Sequence, residues 1–304
     1  MIHEEYDFKD LSNFLYDHNE LLIAGMPRIE ERTCFMTDLW NKRGKDILFF
    51  EILANNRLHY KFRDNEDGTI DISTELTGLL RHFKVYEKNI MIDLSSLDHI
   101  LIMVITKQLL TKVVPKLLFA SYIRPKKYSN RNKNNTNDKS FALCTQTSTV
   151  MAVPCFAKRE KLKQTLCAFI GFEGIRLKKV LESEHNIECF LPIVAFPSGE
   201  PQWYNVTMLN NMDVIKSEIK QSAIRKCPSE SIYEAINILE NNTFPEDNII
   251  LAPLGTRPHS MACAIFACRH SNVGIHYDYA KEMENRTEGI SKVIIYHLTH
   301  FLTV

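Results

Sequence analysis

LAPLGTRPHSMACAIFA, residues 251–267, carries an apolar run into Gly255, Thr256 and Arg257 and then resumes at Pro258. The apolar run reads as the end of a strand spanning 248–254, NIILAPL. The residues beyond the glycine turn read as a helix. Pro258 suits the first helical position, where its missing N–H has no partner to lose. Ala262, Cys263, Ala264 and Ala267 are small enough to let that helix lie close on a sheet. A strand feeding a helix through a glycine turn is the repeating unit of parallel α/β folds.

Outward from this stretch the same alternation recurs. Strand-like runs fall at ELLIAG (20–25), DILFFEIL (46–53), NIMIDL (89–94) and PKLLFASYI (115–123). Helical segments are expected from about Pro27 to Trp40, and after residue 94, where Leu97, Ile100, Leu101, Val104 and Ile105 share one face. RDNEDGTIDI suggests a hairpin turning at Asp67-Gly68. Later strands are LCAFIGFEG (166–174, running into its glycine turn), ECFLPIVAF (188–196), NVGIHY (272–277) and KVIIYHL (292–298). A helix runs to about Glu184, and another places Ile232, Ala235, Ile236 and Leu239 on one stripe behind a Ser231/Glu234 capping box. The expected fold is α/β and Rossmann-like, a largely parallel sheet with helices on both faces. It is either one sheet or two halves, 1–125 and 161–304. Between them the Asn- and Lys-rich stretch 126–160 reads as an exposed loop and connection.

Composition sets the outer limits. The 304 residues carry 37 Lys+Arg against 37 Asp+Glu, so no general attraction to nucleic acid is expected. The N-terminus is acidic and has no apolar core segment, and no run is long enough to span a bilayer. A soluble cytoplasmic protein, with no membrane partner, is the expectation. None of the eight cysteines forms a CxxC pair, which favours buried reduced thiols over a disulfide frame or zinc site. His297 and His300 would face opposite ways on a strand, so no metal is expected there.

In open α/β sheets ligands bind beyond the carboxyl ends of the strands, and here those positions are polar and glycine-containing. They supply Gly25 and Arg28 after the first strand, and Asp93, Ser95 and Ser96 after the third. They also supply Glu173, Gly174 and Arg176, then Gly255, Thr256, Arg257, His259 and Ser260, then Asp278. Structural roles compete with ligand binding at each: a serine N-cap at 95 or 96, a Glu173–Arg176 pair, an exposed Arg257. The physical case is strongest at GTRPHS. Helix N-terminal amides and the helix dipole attract anions, glycine permits close approach, and arginine makes paired bonds to phosphate. Glu173 and Asp93 are the candidate acid–base carboxylates. Neither a Walker loop nor GxGxxG is present, so no cofactor is expected.

The strand–GT[K/R]–helix element of LAPLGTRPHSMACAIFA resembles that of CARF-type and related Rossmann-like proteins of bacterial antiviral defence systems. The resemblance implies nucleotide or oligonucleotide-messenger binding through Gly255, Thr256 and Arg257, with His259 and Ser260 nearby. The ribonuclease or winged-helix effector usual in that group is not evident. The expected function is therefore a nucleotide- or phosphate-ligand-binding protein, a sensing or regulatory subunit with a partner protein or a second copy. An enzyme hydrolysing a nucleotide and a structural subunit of a larger assembly are the alternatives.

Overall fold

The computed structural model describes residues 3–5, 20–54, 56–63, 66–128, 144–146, 149–158, 163–218, 224–244, 248–283 and 285–302. The elements in chain order begin with β1 (His3–Glu5), β2 (Leu21–Gly25), α1 (Glu31–Asn41), β3 (Asp46–Ile52), β4 (Arg57–Phe62) and β5 (Glu66–Asp71). Next come α2 (Leu76–His82), β6 (Asn89–Asp93), α3 (His99–Thr111), β7 (Leu117–Tyr128), β8 (Cys144–Gln146) and β9 (Met151–Ala152). After these lie β10 (Gln164–Ile170), α4 (Gly174–Ser183), β11 (Ile187–Ala195), α5 (Pro201–Glu218) and β12 (Arg225–Cys227). The last are α6 (Ile232–Asn242), β13 (Ile249–Pro253), α7 (Arg257–Arg269), β14 (Val273–Tyr277), β15 (Lys281–Glu282) and β16 (Thr287–His297).

The chain forms two compact units, Met1–Lys127 with Thr287–Val304, and Tyr128–Arg286. Each is a Rossmann-like α/β layer structure built on its own mixed sheet with a parallel centre. The first unit has strand order β1-β16-β7-β6-β2-β3-β4-β5. Its four inner strands β7, β6, β2 and β3 are parallel, and β4 and β5 extend them as an antiparallel hairpin. Register puts Leu22 opposite Ile47 and Met91, and Met91 opposite Phe119, so these side chains share one face. Met36 and Trp40 of α1 and Ile295 of β16 complete that core. The helix α3 is apolar almost all round and is buried accordingly, Ile102 and Met103 included. Since β2 to β3 and β6 to β7 step in opposite lateral directions, the rule of right-handed crossovers assigns α1 and α3 to opposite faces.

The second unit has strand order β12-β11-β10-β13-β14-β9. Its first five strands are parallel, and β9 pairs antiparallel with β14. The short pair β15–β8 stands apart. Helices α4 and α5 pack together, as do α6 and α7. The strand order reverses between β10 and β13, which is where a doubly wound sheet opens a crevice. Ser231 caps α6, its Oγ accepting from the Glu234 N–H at 3.1 Å.

Several expectations need correction. The strand at 292–298 is part of β16 and belongs to the first unit, beside β7, rather than to a C-terminal half running to 304. Local apolar pattern reveals a strand but not which sheet accepts it. Asp67-Gly68 is not the hairpin turn; both lie within β5, and the turn starts at Arg63. Glycine at 68 serves the cross-strand Tyr60 ring, since a Cβ there would stand 2.9 Å from Tyr60 Cε1. The connecting stretch 126–160 begins with the end of β7 and carries β8 and β9, while its residues 129–143 lie outside the described ones. Cys167, Cys227 and Cys263 are buried, but Cys155 and Cys189 are exposed. Among the described residues no helix is long and apolar enough to cross a membrane.

Candidate functional site

The carboxyl edge of the first unit is closed by its own polar groups. Gly25 ends β2, and its N–H donates to Ser96 Oγ at 2.9 Å. A Cβ at Gly25 would overlap the Ser96 carbonyl oxygen, so the glycine admits backbone rather than ligand. Asp93 Oδ1 accepts from the Ser95 N–H at 3.0 Å and from Ser121 Oγ at 3.4 Å. Ser95 Oγ accepts from the Ile123 N–H at 2.7 Å. Asp93, Ser95 and Ser96 are all buried. Neither serine caps α3, whose N-cap position is Asp98. Arg28, half-exposed, pairs with that Asp98 at 2.8 Å. Nearby, the buried Glu30 accepts from Arg32 Nε at 3.4 Å and from Thr287 Oγ1, a cluster the sequence pattern did not reveal.

The second unit presents a different edge. Two adjacent strands, β10 and β13, end in glycine turns at Gly171 and Gly255, and each turn opens a helix. Neither α4 nor α7 has a side-chain hydrogen bond at its N-cap, and neither carries an acidic residue in its first turn. The α7 dipole is therefore not neutralised from within the helix, whereas the N-cap residue of α4 is itself an acid, Glu173. The β10–α4 turn is clamped from α5. Asn211 Nδ2 donates to the Gly171 carbonyl at 2.9 Å, and Asn210 Nδ2 donates to the Phe172 carbonyl at 2.8 Å. Because trans peptides point N–H opposite to C=O, this aims the Phe172 and Glu173 amides away from α5. Gly174 is required by the same clamp, since a Cβ there would overlap the Asn210 carbonyl oxygen.

Arg176, in the first turn of α4, does not pair with the Glu173 side chain. Its Nε and Nη2 donate to Asp278 Oδ2 and Oδ1 at 2.7 and 2.6 Å, a bidentate bond buried at both ends. Its guanidinium also lies 5.2 Å from the centre of the Tyr277 ring. Burial opposes the Arg176 charge, but Tyr277 and Asp278 outweigh it and hold the pKa well above the ordinary value. Glu173 Oε1 accepts from the Cys144 N–H at 3.2 Å. Burial pushes the Cys144 thiol up to about 12, so it stays protonated and is no nucleophile.

At α7, Thr256 occupies the N-cap position and Pro258 the second helical position. Arg257, expected to be either exposed or ligand-facing, is 4% exposed, and Ser260 is fully buried. The Thr256 hydroxyl donates to the Ser229 carbonyl at 2.6 Å. His259 Nε2 lies 3.0 Å from the Pro228 carbonyl, which can only accept, so this nitrogen carries the proton. Burial lowers the His259 pKa to about 4, leaving the ring neutral. Its other nitrogen faces Gly255, where a Cβ would stand 3.1 Å away. Thus two predicted ligand groups, Thr256 Oγ1 and the His259 ring, are engaged by the loop after β12. The backbone of Gly255 and Thr256 and the Arg257 side chain define the helix start.

The structure therefore separates the sequence candidates. Gly25, Arg28, Asp93, Ser95 and Ser96 lie in the first unit. Glu173, Gly174, Arg176, Gly255, Thr256, Arg257, His259, Ser260 and Asp278 lie in the second, around the carboxyl ends of β10, β13 and β14. Pattern reading missed Asn210, Asn211 and Ser229; the Asn-Asn pair inside a helix, where asparagine is unfavourable, was the available signal. An open groove of about 330 Å³ between α4 and α5, lined by Lys178, Leu181, Glu182, Asp213, Val214 and Ser217, lies towards the far end of α4 from Gly174. Among the described residues no group of three His, Cys, Asp or Glu side chains is placed to hold a metal ion. The class defined is a doubly wound, Rossmann-like α/β protein with two main sheets among the described residues. No protein-family model, curated protein or solved structure matches the chain.

Proposed function

We propose that the second unit binds a phosphate-bearing nucleotide at the β10–β13 crevice, as a sensing or regulatory module. The observation that carries this reading is the pair of helix starts at the switch point. Both come after glycine turns, and both lack a side-chain cap and a first-turn acid. Such an edge offers oriented N–H groups and positive dipole ends to an anion. Arg257, buried in the first turn of α7, adds a permanent cation behind that edge. Binding is favoured over turnover because the candidate acid–base groups are engaged elsewhere. Glu173 accepts from the Cys144 amide, and Asp93, in the first unit, accepts from Ser95 and Ser121; of the titratable ligand candidates, Asp278 is held by Arg176 and His259 is neutral against the Pro228 carbonyl. The role implied by the CARF-type resemblance, a subunit of a bacterial antiviral defence system, is part of the proposal.

Calorimetric titration of the whole chain with ATP, GTP and inorganic pyrophosphate tests it. Arg257→Ala should weaken binding by roughly tenfold or more, the loss expected for a charge-assisted bond. Lys178→Ala, beside the distant groove, should leave it unchanged. Circular dichroism identifies any variant that has failed to fold. Absence of binding by the wild-type chain to all three probes would refute the reading.

A further inference from the structure

We propose that the aromatic rim beside this crevice is the base-binding subsite, and that the ligand is a purine nucleoside phosphate whose base stacks on Phe196. The proposal rests on the reading of the β10–β13 crevice as the phosphate site. After β11 the chain leaves the sheet through Phe196, which stays 44% exposed despite its size. Its ring is held in place on both sides of the turn. Tyr204, in the first turn of α5, stands edge-on with centroids 5.1 Å apart and planes at 67°. The Lys226 ammonium lies 4.6 Å from the Phe196 centroid and 5.7 Å from that of Tyr204. With the Lys226 ammonium over the ring and Tyr204 edge-on to it, Phe196 is fixed in place, and the part of the ring that stays exposed is a preorganised stacking platform.

The residue before Tyr204 extends the rim towards β10. Trp203 stands edge-on to Tyr128 at 4.8 Å and to Phe172 at 6.3 Å, and Phe172 belongs to the clamped β10–α4 turn. The connections after β10 and β11 and the first turn of α5 thus converge in aromatic side chains at one edge.

A series of hydrogen bonds ties this rim to the start of α7. The Phe196 N–H donates to the Cys227 carbonyl at 2.7 Å, and the Ser229 N–H donates to the Pro197 carbonyl at 3.0 Å. Ser229 in turn accepts the Thr256 hydroxyl. The strands β11 and β13 flank β10, so their ends are about 10 Å apart at ordinary strand spacing. That is the scale of a nucleotide reaching from its base to its outer phosphates. Gly171, just beyond the intervening β10, brings the two strand ends close, since a Cβ there would overlap the Leu254 carbonyl oxygen. A base on Phe196 and phosphates at Gly255–Arg257 would therefore be read by one hydrogen-bonded edge. A purine suits the platform better than a pyrimidine, because its second ring extends the stacked area.

The test compares ATP with inorganic tripolyphosphate, which has no base, on the whole chain. The wild type should bind ATP more tightly than tripolyphosphate. Phe196→Ala should weaken ATP binding by about 5- to 150-fold, the range for losing one base–aromatic stack, with tripolyphosphate binding unchanged. Phe196→Trp should retain ATP binding. If Phe196→Ala binds ATP as tightly as wild type while Arg257→Ala does not, the rim proposal fails and the crevice reading stands. Equal losses for ATP and tripolyphosphate in Phe196→Ala also overturn it, because the residue then supports the edge rather than the base. Failure of the wild type to bind either probe overturns both.

Discussion

Replacing Asp278 with alanine leaves the Arg176 guanidinium buried without its bidentate partner, and this should be the most destructive single change at the edge of the second unit. The pair is 7% and 0% exposed at its two side chains, so water does little to compensate either charge. Breaking a buried pair by removing one partner typically costs about 3–5 kcal/mol, most of it the penalty of the stranded charge. For a unit of this size each kcal/mol lowers the melting temperature by about 2–4 °C, giving a drop of roughly 6–20 °C. Trp203 lies in the second unit and Trp40, the only other tryptophan, in the first. Urea unfolding monitored through Trp203 fluorescence in a Trp40→Phe background therefore reads the second unit. The double variant Arg176→Met/Asp278→Leu removes both charges and should recover most of the loss, since well-packed apolar pairs often match buried ion pairs. A loss below about 1 kcal/mol for Asp278→Ala, or a double variant no better than the single one, would refute the reasoning.

Three further outcomes are set by local geometry. Gly25→Ala should destabilise the first unit by about 1–3 kcal/mol, because the new methyl overlaps the Ser96 carbonyl oxygen. Gly78→Ala in α2, where a Cβ meets nothing within 4 Å, should instead stabilise by about 0.4–1 kcal/mol; matched chemical denaturation compares the two, and equal effects would count against the packing argument. His259 has a folded pKa of about 4 against an ordinary 6.5, so the unfolded chain takes up this proton first as pH falls. Its stabilising contribution is complete above about pH 6.5 and is lost towards pH 4, amounting to about 2 kcal/mol by pH 5; His259→Gln should flatten that part of the stability profile, and an unchanged slope would contradict the assignment. Ser231→Ala should cost the α6 cap about 0.5–2 kcal/mol and Ser231→Asp should not, as thermal melts would show.

Local pattern carried the alternation of strands and helices a long way. NIILAPL and NIMIDL are buried parallel strands, and continuous apolar runs of that length announce them. Helix α5 was invisible because PQWYNVTMLNNMDVIKSE has no clean apolar stripe: Leu209 is 72% exposed while Asn211 is fully buried. The placement of β16 beside β7 was equally hidden, since strand pairing is chosen by a surface distant in sequence. At the candidate site, the residue types at strand ends were legible and their partners were not. Arg176 had a plausible neighbour three residues away in Glu173, yet its partner is Asp278, 102 residues on. Thr256 and His259 looked ligand-facing until the loop after β12 supplied Ser229 and Pro228 as acceptors. Long-range hydrogen bonds decide which polar strand-end groups are engaged, and no spacing rule encodes them.

An anion held at the β10–β13 crevice by the starts of α4 and α7, as proposed, would perturb the amides of both turns. Amide chemical shifts of the whole chain, recorded while pyrophosphate and then ATP are titrated in, test it residue by residue. Saturable shifts are expected at Gly171–Ile175 and Gly255–Arg257, with ATP extending them to Phe196 and Tyr204. Saturable shifts confined to other surfaces, or none at all, would contradict it.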